Sequence, residues 1–494
     1  MGYTKVSANK PERDVVKAAT QSDLHDPETM PSEIAFIQSP TSSCNLESLP
    51  ISSVACAARP AVVPYQHKLM SRSSSLISPL LAGLVLTALQ LTVAVGLLAP
   101  EGPASYRYST LNQHDSYWFM NIVDRGYQTI VPPIDQKMME VSNVAFFPAY
   151  PAIAGLLRRG FHIDTGNSLL IVAQLAAWGF WSYFFLLCRR WRISPLLQAC
   201  GALLIVAHPA AFFLIAGYSE SLFLMTLLGF IYWSSAQGRA AKSFAALHGI
   251  VMSATRIVGI VCAAFPVVHA VCAKGWKGLR ESRAWFRQYG PAIGLMIVAT
   301  LGALGFFLYC QLRWGRWDIY MLTQAAGWGI FPDYLAMFRP SSYRWLIPAL
   351  NNPIEASQMS MTLGALLFVC IVFCELLVAA RRAPATAGKL RSRPTTIGER
   401  SNWATRVGIY FCAAAIYYIS VSGVACVAME SMLRYEFCAH ALIVLALLNY
   451  LRQFRTPPML VRAFGIAAVA LLSAAGLCVQ GWYVWNFTRG NWVA

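Results

Sequence analysis

The chain has 494 residues, of which 57% are hydrophobic, 13% aromatic and only 12% charged, and its formal net charge is +17. This composition excludes an ordinary soluble protein and predicts a polytopic membrane protein. The positive charge does not indicate a nucleic-acid partner. The basic residues concentrate in a few short loops between apolar runs, which is the pattern that orients membrane proteins.

Residues 1–70 differ from the rest of the chain, because they are rich in Ser, Pro and Thr and show no apolar periodicity. We expect them to form a disordered cytoplasmic tail. They lack the order of charged and apolar regions that marks a cleavable signal peptide, so the first apolar run is expected to remain as a signal anchor. Residues 71–494 are then the membrane domain.

Apolar runs of about 20 residues, the length that crosses a bilayer, predict an all-α fold with about ten or eleven transmembrane helices. One further stretch, 244–273, is interrupted by Arg256 and Pro266 and fits either one crossing or two. The other predicted spans are 75–99, 168–188, 195–213, 220–236, 290–311, 358–380, 407–428, 436–451 and 463–485.

The loops between these spans predict the orientation of the chain. Four basic loops are expected to face the cytoplasm, and the segments 101–166 and 313–357, which are close to charge balance, are expected to be large outer loops. This alternation requires that the run 143–159, which contains two prolines, does not cross the membrane. The basic loops are 189–192, 274–287, 381–406 and 452–462.

The same orientation brings several polar segments to the outer side, and it predicts one extracytoplasmic site at the bilayer surface. Polar groups of this kind are unusual in a membrane protein and would be explained by a shared site. The segments are 111–127, 145–151, 208–221, the turn at 255–259, the loop 313–357 and 429–436.

An amphipathic juxtamembrane helix is predicted over 113–125, with Asn112 as its N-cap and Gly126 as its stop. At 100° per residue, Asp115 falls on the apolar face of this helix. Asp124 lies half a rotation away and points to the opposite side. The two aspartates therefore have different expected roles.

Asp115 is the candidate general base, because partial desolvation on the apolar face would make its carboxylate a stronger proton acceptor. The alternative is that Asp115 only stabilises the amino terminus of the helix. Asp124 is interpreted either as a solvated helix end with a local ion pair or as a substrate-binding group. His114, which precedes Asp115, is also a candidate substrate-binding residue.

Glu220 follows Tyr218 and Ser219 at the outer mouth of a predicted span. These three residues are candidates for hydrogen bonds to the hydroxyl groups of a sugar or an acceptor. The alternative is local, because Ser219 is a suitable N-cap and Glu220 would favour the amino terminus of the helix that follows.

Arg256 and Arg434 are expected near membrane depth, where an arginine is costly and usually faces a cavity or a partner. A guanidinium matches phosphate oxygens by paired hydrogen bonds. The two arginines are therefore candidate ligands of a lipid-linked phosphate. The alternative is an internal salt bridge from either arginine to Glu220 or Asp115.

Four strings in the same order resemble a known motif set: HDSYWFMNIVDRGY, NVAFFPAYP, HPAAFFLIAGYSESLF and TRIVG. They are similar to the GPI mannosyltransferase 2 family, polytopic glycosyltransferases of the GT-C class, and in particular to its prokaryotic relatives. The resemblance covers about 110–260, and RWGRWDIYMLTQAAGWG and SMLRYEF match more weakly. The chain departs from the family in having His114 where Trp is common and His208 where Asn is common.

The resemblance implies an inverting transferase, usually of mannose, that uses a polyprenyl- or dolichyl-phosphate sugar and a lipid- or glycan-linked acceptor. It places the catalytic base at Asp115 and the active site on the extracytoplasmic or lumenal side, in the cell membrane of a bacterium or the endoplasmic reticulum of a eukaryote. No cofactor is predicted, since no CxxC, zinc-type spacing or DxD motif occurs, although a divalent metal is compatible with the chemistry. A transporter or lipid-linked sugar flippase and a non-catalytic subunit are the competing hypotheses.

Overall fold

The computed structural model describes residues 72–130, 142–274, 282–345, 352–382, 397–454 and 458–493. The predicted tail, residues 1–70, lies outside the described residues. Within them the backbone forms helices and turns and no β-strand. This confirms the predicted all-α class.

The helices follow one another through short connections, and several begin at residues whose side chains or fixed backbone favour a helix start. Asp164 accepts the N–H of Asn167 at 3.0 Å, and Ser194 accepts the N–H of Leu197 at 3.4 Å. In chain order the helices are α1 Arg72–Leu91, which continues as a π-helix over Thr92–Leu98, α2 Ala104–Ser109, α3 Asp115–Arg125, α4 Ala149–Phe161, α5 Thr165–Arg190, α6 Pro195–Val206, α7 Glu220–Ser234, α8 Arg239–Thr255, α9 Gly259–Cys262, α10 Phe265–Lys274, α11 Ser282–Trp314, α12 Ile319–Trp328, α13 Pro353–Arg382, α14 Ile397–Val424, α15 Met432–Leu451 and α16 Met459–Phe487.

Seven described helical segments are long and apolar enough to cross a membrane, which supports a multi-pass integral membrane protein. The predicted spans 195–213 and 220–236 contain only shorter helices, α6 and α7, of 12 and 15 residues. At about 1.5 Å per residue such helices are shorter than a hydrocarbon core of about 30 Å. By length and composition, seven helices among the described residues qualify as spans, and the remaining predicted spans contain shorter apolar helices. The seven segments are Leu76–Leu98, Thr165–Arg190, Trp285–Trp314, Ile354–Leu377, Ser401–Val427, Met432–Leu451 and Met459–Phe487.

The predicted break in the stretch 244–273 is confirmed. Helix α8 ends at Thr255, Arg256 is extended (φ −152°, ψ 144°), and helix resumes at Gly259 as α9. The run 143–159 contains the start of α4, which has 13 residues and is also too short to cross alone. The first outer loop therefore carries the short helices α2, α3 and α4.

The start of α3 differs from the sequence prediction, whereas its end agrees. The helix begins at Asp115, so the N-cap position belongs to His114 and not to Asn112, and it ends before Gly126, whose φ of 75° favours glycine. The amide of Asn112 instead donates to the carbonyl of Gly166 at 3.1 Å. A contact 54 residues away thus replaces the predicted cap.

Helix α15 lies at the centre of the bundle and α16 at its periphery. Most side chains of α15 are buried, whereas most of those of α16 are exposed. Helices α13 and α14 pack against α15, and α5, α7, α8 and α11 form a second packed series. A charged residue on α15 must therefore find its partner inside the protein.

The amino-terminal end of α3 docks on the connection between α6 and α7. The hydroxyl of Ser116 donates to the carbonyl of Gly217 at 3.0 Å, and the N–H of Gly217 donates to the carbonyl of Leu111 at 3.1 Å. A Cβ atom at position 217 would lie 2.2 Å from Oδ1 of Asn112. Gly217 therefore leaves room for the side chains of Asn112 and Ser116, and this contact places Asp115.

We expect Gly217→Ala to lower the unfolding temperature of the purified protein in detergent, because the added methyl group would displace the hydrogen-bonded side chains of Asn112 and Ser116. The cost should be about 1–3 kcal/mol, as for other overpacked sites. Gly465→Ala in α16 is the matched control, since a Cβ there meets no heavy atom within 4 Å. Equal unfolding temperatures for the two variants would contradict the role given to Gly217.

Candidate functional site

A cavity of about 330 Å³ opens where the predicted outer segments meet. It is lined by residues of the start of α3, the segment 145–147, the residues before α7, the break between α8 and α9, the second outer loop and the start of α15. The sequence predicted that these segments converge, and the structure brings them together. Six of the eight candidate site residues line the cavity: Asp115, Tyr218, Ser219, Glu220, Arg256 and Arg434.

Four of these residues form a chain of alternating charge. Nη1 of Arg434 lies 2.5 Å from Oδ2 of Asp115, and Nε of Arg434 lies 3.2 Å from Oε1 of Glu220. The same Oε1 accepts a hydrogen bond of 2.8 Å from Nη1 of Arg256. The internal salt bridges that one reading of the sequence expected are therefore present. Two carboxylates and two guanidinium groups balance, as buried charges require.

Arg434 is the more enclosed of the two arginines in this charge chain. Its side chain is only 6% exposed, on the first turns of the central helix α15. The guanidinium carbon lies 5.1 Å from the ring centroids of Tyr218 and Tyr435 and 5.7 Å from that of Phe213. Aromatic faces attract a cation at these distances. The rings and the two carboxylates together stabilise a charge that the surrounding helices alone would not.

Glu220 is the first residue of α7 and its side chain is 2% exposed. Ser219 occupies the N-cap position, but its hydroxyl makes no capping hydrogen bond. The prediction that Ser219 and Glu220 act only at the amino terminus of α7 is thus met only in part. The carboxylate of Glu220 pairs with two arginines from distant segments. Its second oxygen, Oε2, has no hydrogen-bond partner among the described residues.

Tyr218 presents a buried phenol beside Asp115. Burial raises the pKa of this hydroxyl well above its ordinary value, and the negative charge of Asp115 raises it further. The hydroxyl therefore stays protonated at any physiological pH. It can donate a hydrogen bond to an oxygen that enters the cavity.

Arg256 reaches the cavity from the break between α8 and α9. Its extended backbone directs the side chain away from the axis of α8, and the side chain is 17% exposed. The guanidinium carbon lies 4.8 Å from the ring centroid of Tyr435. Tyr435 therefore contacts both arginines, and it is a site residue that the sequence reasoning missed.

His114 and Asp124 flank α3 but do not line the cavity. The Nε2 atom of His114 lies 3.2 Å from the carbonyl oxygen of Asn491, and its ring meets Trp492 edge-on at 4.9 Å. Asp124 is 43% exposed, accepts a hydrogen bond from Thr165 at 2.6 Å and lies 3.3 Å from Arg158. Helical phase correctly separated the two aspartates. The ion-pair partner of Asp124 comes from α4.

A second polar cluster lies behind α15 and was not found from the sequence. Nε2 of His208 lies 2.7 Å from Oε2 of Glu436, which also accepts from Ser360 at 3.1 Å, and His440 lies 3.9 Å from Oε1. These ligand types and distances raise the question of a metal ion. Glu436 stands at the start of an apolar run, and that position was the available signal.

The protonation of His208 argues against a metal at this cluster. The N–H of Ala210 donates to Nδ1 of His208 at 3.1 Å, so Nδ1 carries no proton and Nε2 must carry it in a neutral ring. A metal at Nε2 would have to displace that proton and leave the imidazole with none. The contacts form a hydrogen-bonded cluster that holds α15.

No protein-family model and no curated protein sequence matches the chain. Among solved structures, ArnT from Cupriavidus metallidurans bound to undecaprenyl phosphate is 13% identical with a TM-score of 0.43, over 85% of this chain and 76% of that one. The archaeal oligosaccharyltransferase AglB from Archaeoglobus fulgidus, in complex with an inhibitory peptide and a dolichol-phosphate, is 11% identical with a TM-score of 0.44, over 83% of this chain and 56% of that one. These values do not establish a family for the chain.

Proposed function

We propose that this chain is an integral membrane glycosyltransferase. It moves a hexose from a polyprenyl- or dolichyl-phosphate donor to a lipid- or glycan-linked acceptor. The sequence resemblance to the GPI mannosyltransferase 2 family indicates that this hexose is mannose. The observation that carries the proposal is the cavity in which a partly exposed carboxylate, Asp115, stands beside a buried guanidinium, Arg434. Such a transfer needs a base for the attacking hydroxyl and a cation for the departing phosphate.

In the proposed reaction the oxygen of the acceptor hydroxyl attacks the anomeric carbon of the donor. The bond between that carbon and the phosphate oxygen breaks through an oxocarbenium-like state, and its electron pair leaves with the lipid phosphate. The proton of the hydroxyl passes to Asp115. A single displacement inverts the anomeric centre, so a β-linked donor gives an α-glycoside.

The two arginines are the proposed ligands of the phosphate. Arg434 and Arg256 both border the cavity. Both guanidinium groups pair with the same atom, Oε1 of Glu220, which holds them close together. Planar guanidinium groups suit a phosphate because they present paired N–H donors and remain charged. The protonated hydroxyl of Tyr218 supplies a further donor on the same wall.

The apolar part of the cavity supports a lipid-linked substrate. Ile330 and Pro332 of the predicted second outer loop and Ile419 and Val424 of α14 are among the residues that line the cavity. Such a surface suits an isoprenoid chain, which gains by burial of apolar area. We propose that the cavity faces the extracytoplasmic or lumenal side, where the balanced outer loops are expected.

Asp115→Asn should reduce sugar transfer by about 100-fold or more, since the amide cannot accept the hydroxyl proton. Membranes that carry the variant or the wild type would be supplied with radiolabelled polyprenyl-phosphate mannose, and labelled acceptor would be counted. Asp318→Asn is the matched control, because Asp318 also pairs with an arginine, Arg316 at 2.8 Å, but lies outside the cavity. Equal transfer by wild type and Asp115→Asn would show that Asp115 is not the base.

Arg434→Lys should raise the KM for the donor by about tenfold or more while the protein stays folded, because a lysine keeps the charge but loses the paired donors. Arg316→Lys is the control at an exposed pair. The measurement is initial rate against donor concentration, together with an unfolding curve in detergent. Donor binding or flipping without any transfer by the wild type would favour the transporter hypothesis instead.

A further inference from the structure

The guanidinium of Arg434 is already occupied in this structure. Each of its three nitrogens lies near a protein oxygen: Nη1 near Oδ2 of Asp115 at 2.5 Å, Nε near Oε1 of Glu220 at 3.2 Å, and Nη2 near the hydroxyl of Tyr435 at 3.3 Å. The side chain is only 6% exposed. A phosphate that approaches Arg434 from the cavity therefore competes with these partners for the guanidinium.

The three partners differ in how easily they can leave. Glu220 is 2% exposed and is held by Arg256 as well, and Tyr435 is fixed by its position next to Arg434 in α15. Asp115 is 21% exposed and stands at the cavity wall on a short helix of the first outer loop. Asp115 is thus the partner that an incoming anion can displace.

We infer that the donor phosphate replaces Asp115 as the partner of Arg434, so that binding of the donor releases the base that the transfer needs. The inference rests on the proposed function and adds an order of events to it. While Arg434 holds the carboxylate of Asp115 at 2.5 Å, that carboxylate is engaged by the guanidinium and not by an acceptor hydroxyl. Once the phosphate has replaced it, the carboxylate faces the acceptor hydroxyl without that partner.

Charge balance favours exchange over simple addition. Asp115, Glu220, Arg256 and Arg434 carry two negative and two positive charges, so the chain of pairs is neutral before the donor arrives. A phosphate added beside an undisturbed Asp115 would place two anions on one guanidinium in a poorly solvated cavity. Exchange keeps Arg434 paired throughout, and it moves only the carboxylate that already reaches water.

The backbone on both sides of the pair carries strain. Among the described residues, six other than glycine have a positive φ, and four of them lie within the six residues before one of the two partners. They are His114 (φ 49°) before Asp115, and Ala428 (φ 56°), Met429 (φ 65°) and Ser431 (φ 66°) before Arg434. Such conformations are costly for residues with a side chain and tend to occur where a segment moves or is held for function. Both segments therefore have conformations to relax into when the pair opens.

The test compares the affinity of detergent-solubilised wild type and variants for farnesyl phosphate, a soluble prenyl phosphate without a sugar, by isothermal titration calorimetry. Asp115→Asn should bind about tenfold more tightly than wild type, because the competing carboxylate has been removed. Asp115→Ala should show the same gain, which excludes a special effect of the amide. Asp318→Asn, the control in an exposed Asp–Arg pair, should bind within about twofold of wild type.

The outcomes separate this inference from the proposed function. Equal affinity of wild type and both Asp115 variants, or weaker binding by the variants, would overturn the exchange, and sugar transfer by the wild type would leave the transferase assignment standing. Absence of both prenyl phosphate binding and transfer in a folded wild type would overturn both proposals. Unfolding curves that agree within error identify the variants whose affinities can be compared.

Discussion

A permanently charged arginine buried at the start of the central helix determines how the rest of this site is built. Arg434 cannot lose its proton, and the helices around α15 leave it 6% exposed, so its charge must be met by groups from other segments. Asp115 comes from the start of α3 and Glu220 from the start of α7. Arg256 then balances the second carboxylate. The pairing of opposite charges thus holds these segments together.

The interruptions of the helices serve the same site. Helices α6 and α7 are short, and the connection between them supplies Tyr218 and the close approach at Gly217. The break after α8 frees Arg256 to point into the cavity. Irregular backbone is tolerated at membrane depth only where it is buried in protein or lines a cavity. The breaks between helices therefore supply residues of the candidate site.

Much of this arrangement was predictable, and the remainder depended on distant contacts. Helical phase separated Asp115 from Asp124, and the cost of an arginine among apolar residues singled out Arg256. Local rules failed at Asn112, because its amide is taken by Gly166, which no spacing reveals. The pairing of Arg434 with Asp115 across 319 residues was one of the two readings that the sequence left open, and the association of Glu436 with His208 across 228 residues was not found. Periodicity describes one element at a time, whereas these contacts depend on how the elements pack.

The cluster of His208, Ser360 and Glu436 has a mechanical consequence for α15. Arg434 and Glu436 are two residues apart, so their side chains leave the helix about 200° from each other. Arg434 pairs with Asp115 and Glu220, and Glu436 contacts His208 and Ser360 on the opposite side of the helix. Rotation of α15 about its axis would therefore break a buried contact of one charged side chain or the other. The guanidinium is thereby held in one direction about the helix axis.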